Sequence, residues 1–81
     1  MIGSCRAEFL VEPFREGRPG PHVEAAVAAL ERHRVGADMG AFGTTITGPC
    51  SDVLAALGSM LDAALEAGAV RVTVTLTAEE A

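Results

Sequence analysis

Apolar residues recur along this chain first with a period of two, then near 3.6, and the two patterns alternate in order. Ala7, Phe9 and Val11 alternate with Glu8, Leu10 and Glu12. Period two with apolar residues on one side predicts a half-buried strand over Ala7–Val11. Pro13 ends it by removing an amide donor. The stretch 13–21, PFREGRPGP, carries three prolines and two glycines and reads as a loop. Pro21 suits the first position of a helix. Val23, Ala26, Val27 and Leu30 then recur at helical spacing. Arg32, His33 and Arg34 are expected in that helix's last turn, where positive charge suits the dipole.

A weaker strand is expected over 35–41, with Ala37 and Met39 inward and Asp38 outward. The segment Met39–Gly48, MGAFGTTITG, then forms a hairpin. Gly43 permits its sharp turn, and the β-branched run Thr44–Thr47 makes the next strand with Ile46 inward. Ser51 is the expected N-cap of a second helix, with Asp52 in its first turn. Leu54, Leu57, Leu61, Ala64 and Leu65 form the expected apolar stripe. Gly58 interrupts it, through close packing or simple tolerance, and Gly68 is the stop. Finally, Val70, Val72, Val74 and Leu76 alternate with Arg71, Thr73, Thr75 and Thr77, a strongly amphipathic strand followed by a polar tail, TAEEA.

The order β-α-β-β-α-β predicts an α+β, ferredoxin-like sandwich: a four-stranded antiparallel sheet with two helices on one face. Right-handed crossovers place the first and third strands in the centre, flanked by the fourth and second respectively. The sheet face away from the helices then carries Arg6, Glu8, Leu10, Glu12, Asp38, Thr45, Thr47, Arg71, Thr73, Thr75 and Thr77. Three roles fit such a face: a solvated surface, a subunit interface, or a small-molecule site shared with that interface. Glu8 beside Thr45, with Asp38 one strand on, can receive an amino group or a cationic ring. Phe42 at the hairpin tip can stack on such a ring or serve as a plain hydrophobic plug.

Composition narrows the classes. The chain has 81 residues, one domain over 1–81, and buries only a little over roughly 60% of its unfolded surface. Three phenylalanines with no tryptophan or tyrosine leave few large core anchors, so a homo-oligomer is expected. A net charge of −5 argues against nucleic acid and anionic membranes as partners. No apolar run approaches the roughly 18 residues of a membrane span, and MIGSCRAEF lacks the apolar core of a signal peptide. Cys5 and Cys50, far apart in sequence, read as two reduced thiols of a cytoplasmic protein.

No catalytic or metal-binding constellation is visible. His22 and His33, eleven residues apart on one expected helix, would stand about 16 Å apart, too far for one metal ion. The serines lack a nucleophile-elbow context. Arg15 and Arg18 could meet a phosphate, although solvated loop arginines are the favoured reading. The absence of a C-x-x-C loop, of exposed strand aromatics and of a phosphate cradle argues against metal chaperones, RNA binders and acylphosphatase chemistry. An ACT-type regulatory module sensing an amino acid or other metabolite, or a structural oligomerisation domain, stays open on these grounds.

Several stretches taken together resemble the MTH1187/YkoF-like family of small thiamine-binding proteins. They are the strand AEFLVEP ending in proline, the short loop and apolar helix, the hairpin GAFGTTITG, and the helix end and strand EAGAVRVTVTL. The chain departs from the family's frequent proline at position 41 and carries Phe at position 42. The resemblance implies a ferredoxin-like fold, dimers or tetramers, and binding of thiamine or its hydroxymethylpyrimidine moiety without turnover, with no cofactor. It also implies a ligand site at Glu8, Phe42, Gly43, Thr44 and Thr45. There Glu8 would accept from the aminopyrimidine, Thr44 and Thr45 would bond ring nitrogens, and Phe42 would pack on the ring.

Overall fold

The expected element order is present in the computed structural model, which describes residues 3–13, 20–40 and 43–79. It runs β1 (Ser4–Glu12), α1 (Pro21–Leu30), β2 (Gly36–Met39), β3 (Thr44–Pro49), α2 (Cys50–Glu66) and β4 (Arg71–Glu79). The strands form one antiparallel sheet in the order β2-β3-β1-β4, as the crossover argument requires. Both helices pack against one face and against each other. Arg15, Arg18 and Phe42 lie outside the described residues.

The core follows the pleat of β1. Cys5, Ala7, Phe9 and Val11 are buried against Ile46 of β3 and against Val23, Ala26 and Leu30 of α1. From α2 come Val53, Ala56, Leu57, Met60 and Ala64. This corrects the expected stripe. Leu57 and Ala64 of that stripe are buried and Leu61 packs against the core, but Leu54 and Leu65 are 54% and 56% exposed, because the inward face of α2 centres on Val53, Ala56 and Met60. Since α2 begins at Cys50, Ser51 lies inside the helix. Pro49 occupies the N-cap position without a side-chain cap.

The end of α2 is a Schellman turn. Ala69 N–H donates to the Ala64 carbonyl at 2.9 Å and Gly68 N–H to that of Leu65 at 3.2 Å, with Gly68 at φ +108°. Gly58 has open space where a Cβ would stand, so tolerance rather than close packing explains it within this chain. Gly58→Ala is expected to raise stability by about 1 kcal/mol in a denaturant titration. A loss would reveal another backbone lying against that exposed turn.

Four further expectations are revised. First, α1 ends at Leu30, so Arg32, His33 and Arg34 follow the helix instead of closing it. The chain leaves through tight i→i+3 bonds, Glu31 N–H to Ala28 and His33 N–H to Leu30. His33 is half-buried, its Nε2 2.9 Å from Ser59 Oγ, and pins this turn to α2. Second, every residue of β2 is exposed, because this edge strand packs on β3 beyond the reach of the helices. Ala37 and Met39 do share the face of Ile46 and Thr44, but no helix among the described residues covers them.

Third, β4 continues through Ala78 and Glu79, which pair with Cys5 and Ser4, so the start of the tail is strand. Val70 precedes β4 and is 79% exposed, and Leu76 is 45% exposed, since α2 lies mainly over β1 and β3. Fourth, Cys5 and Cys50 form a disulfide and are not free thiols. Cys5 sits opposite Gly48, two residues before Cys50, so sheet pairing closes a separation of 45 residues to a Cα–Cα distance of 4.8 Å.

Candidate ligand site on the uncovered sheet face

Antiparallel register decides which side chains share the uncovered face. Asp38, Thr45, Glu8 and Thr75 are directly opposed across β2, β3, β1 and β4, one continuous row over the whole sheet. Opposed residues of adjacent strands project to the same side, with Cβ atoms about 5 Å apart. The next row in one direction is Gly36, Thr47, Arg6 and Thr77; in the other, Leu10 stands opposite Thr73 and Glu12 opposite Arg71.

An open hollow of about 350 Å³ lies over Thr45, Glu8 and Thr75 of the first row, within the size range of small-molecule sites. Glu8 and Leu10 form its floor, Thr73 and Thr75 one side, and Gly43 and Thr45 the other. The structure thus brings Glu8, Gly43 and Thr45 together. Thr44 borders the same hollow, but strand alternation turns its side chain to the helix side, where it is only 5% exposed opposite Phe9 and Met39. Gly43 is required by close approach: a Cβ there would stand 2.9 Å from the Phe9 carbonyl oxygen. Its own carbonyl accepts from Gly40 N–H at 2.7 Å, closing the β2–β3 connection.

Thr73 and Thr75 belong to this hollow although the expected site did not include them. Their signal was the alternation in VRVTVTLT, but only pairing with β1 sets Thr75 beside Glu8. The hydroxyls of Thr45, Thr73 and Thr75 can each donate or accept, which suits a heteroaromatic ring bearing both kinds of group.

A second hollow of about 510 Å³ adjoins the first at Thr45 and is lined by Arg6, Gly36, Asp38, Thr47 and Glu79, among others. Glu8, Glu12, Asp38 and Glu79 on this face outnumber Arg6 and Arg71, so it is acidic among the described residues. Arg6 Nη2 stands 3.2 Å from Glu8 Oε1. Arg71 donates to Glu12 through Nε at 2.6 Å and Nη2 at 3.2 Å. That bidentate bond holds the Glu12 carboxyl below its usual range; desolvation opposes it, and charge attraction to Arg71 adds a lesser pull in the same direction as the bond. Among the described residues no cluster of histidine, cysteine and acidic side chains is suited to a metal ion.

A family model described as "Thiamine-binding protein" matches residues 7–80. The chain belongs to the thiamine-binding protein family. The match bears out the resemblance read from AEFLVEP, GAFGTTITG and EAGAVRVTVTL. Among curated proteins, none matches the chain.

Solved structures share the fold of this family member at low identity. A hypothetical protein of Methanocaldococcus jannascii is 20% identical, with a TM-score of 0.72 over 99% of this chain and 82% of its own. A domain of unknown function from Bacillus cereus is 21% identical, with a TM-score of 0.70 over 99% of this chain and 78% of its own. A Thermotoga maritima protein, provisionally described as acting in thiamine biosynthesis or salvage, is 14% identical, with a TM-score of 0.67 over 96% of this chain and 84% of its own. No described helix of this family member is long and apolar enough to cross a membrane.

Proposed function

We propose that this protein binds thiamine or its hydroxymethylpyrimidine moiety without turning it over, on the uncovered sheet face and close to a subunit interface. The observation that carries this reading is the placement of Glu8 between Thr45 and Thr75 in a hollow of about 350 Å³. The Glu8 carboxylate accepts from the exocyclic amine of the aminopyrimidine. The Thr45 hydroxyl bonds a ring nitrogen, and Gly43 allows the ring to come close to the backbone. Thr44 forms part of the wall, and Phe42, outside the described residues, is assigned to packing on the ring by the family resemblance alone. The acidic balance of the face favours the thiazolium cation.

The protein acts as a homodimer or homotetramer. Support for assembly comes from the exposed apolar residues Val70 and Leu76 and from the outer edge of the nine-residue strand β4, which no other strand pairs among the described residues. Such an edge invites a second strand.

Calorimetric titration with thiamine and with hydroxymethylpyrimidine tests the reading. Saturable binding is expected, and Thr45→Val should weaken it by about tenfold, the worth of one hydrogen bond. A folded protein that takes up neither molecule at millimolar concentration would refute the reading, and unchanged affinity in Thr45→Val would remove that hydroxyl from the site.

A further inference from the structure

Glu8, the carboxylate assigned to the ligand, is already engaged by a cation of this same chain. Arg6 lies two residues before it on β1 and therefore on the same face, with its guanidinium 3.2 Å away. Both side chains are more than half exposed. An ion pair this exposed is weak, because solvent screens it and two flexible side chains must be held together. Arg6 also lines the second hollow, where Asp38 and Glu79 stand as alternative partners for it. Thr45 borders both hollows, so Glu8, Asp38 and Glu79 lie along one continuous stretch of the sheet face with Arg6 among them.

We propose that Arg6 competes with the ligand for Glu8, and that it thereby sets how strongly this face prefers a cation to a neutral ring. The inference rests on the binding reading above. A ligand that donates to Glu8 displaces the guanidinium towards Asp38 and Glu79. A ligand that takes Oε1 of Glu8 must break the ion pair. A cationic ligand also stays within reach of the displaced guanidinium and is repelled by it. Arg6 therefore lowers the affinity for both kinds of ligand, and that for the cation more.

The test is titration of the full chain with thiamine, which is cationic, and hydroxymethylpyrimidine, which is neutral at pH 7. Arg6→Gln should tighten hydroxymethylpyrimidine binding by about twofold, the scale of an exposed ion pair. Thiamine binding should tighten by about fivefold or more, because a like charge nearby is removed as well. The excess for thiamine should shrink in high salt. Arg6→Lys, which keeps the charge, should leave the ratio of the two affinities near that of the natural protein. Arg71→Gln changes the net charge equally but lies at the Glu12 pair, four residues along β1, and should move the ratio by less than about twofold.

Weaker binding in Arg6→Gln would overturn the proposal by showing that Arg6 touches the ligand directly. An unchanged ratio, or an equal change in Arg71→Gln, would also overturn it. Binding of neither ligand by the natural protein is a different failure, since it defeats the binding reading itself. Should Arg6→Gln not fold, as judged by its thermal transition, Arg6→Ala with Arg6→Lys as the charged reference makes the same comparison.

Discussion

Phe9→Ala is expected to lower the thermal midpoint by about 12 °C or more, and to leave little folded protein near it. Phe9 is 4% exposed on the central strand β1, pointing into the helix layer between Ala7 and Val11. Truncating a buried phenylalanine costs about 3–5 kcal/mol, from lost transfer energy and from the cavity left behind. A domain of 81 residues has only about 4–12 kcal/mol in total. In domains of this size each kcal/mol moves the midpoint by about 4–8 °C. The effect is large because the core is built from small residues: Ala7, Ala26, Ala29, Ala56 and Ala64 are all buried, and none can expand into the gap. Calorimetry or circular dichroism measures the midpoint, and a shift under about 5 °C would mean that the core closes around the loss.

The second large effect concerns binding. Glu8→Gln is expected to weaken thiamine by about tenfold to a hundredfold while leaving the thermal midpoint nearly unchanged. A hydrogen bond to a charged group is worth about 1.5–3 kcal/mol, and glutamine keeps the shape of the side chain while discarding its charge. Stability should hold because the Glu8 side chain is 57% exposed and its described ion pair, with Arg6, is an exposed one. Titration calorimetry of the two proteins side by side decides the matter. Equal affinities would show that the carboxylate does not meet the ligand, whatever else lines the hollow. The contrast with Phe9 is instructive, since these neighbours on one strand project to opposite faces and are expected to affect different properties.

The arrangement has a further physical consequence. Threonine hydroxyls at positions 45, 73 and 75 provide donors and acceptors on β-branched side chains with few rotamers, held on a paired sheet. Little conformational freedom is lost there when a ring is bound. The carboxylate is mounted on β1, which pairs with β3 on one side and β4 on the other. A site on such a strand is positioned more rigidly than one on a loop.

Much of this was legible in the chain itself. The alternation in β1 and β4, Pro13, Gly68 and the helical repeat of α1 specify local structure through steric and solvation preferences that act over a few residues. Together with the handedness of crossovers, they determine the element order, the sheet order and the side of the sheet on which Glu8, Thr45 and Thr75 project. The rotational phase of α2 was not legible. Leu54 and Leu65 are as apolar as Leu57, and alanine at 56 and 64 gives little contrast, so the inward face became known only once β1 and β3 were beneath it. The exposure of β2 and of Leu76 likewise depends on how far two helices reach across four strands.

Register is the other property that only the tertiary structure decided. Period-two patterning tells which face a residue takes, but not which residue of a distant strand stands beside it. The fold set Thr75, from the last strand, opposite Glu8, from the first. It set Cys5 within bonding distance of Cys50, where sequence separation suggested two independent thiols. The turn of Thr44 to the helix side, by contrast, already followed from alternation with the inward Ile46. Local preferences are short-ranged and additive enough to be read along a chain. The juxtapositions that make a site arise from pairing across long separations in sequence, and these exist only when the whole sheet has formed.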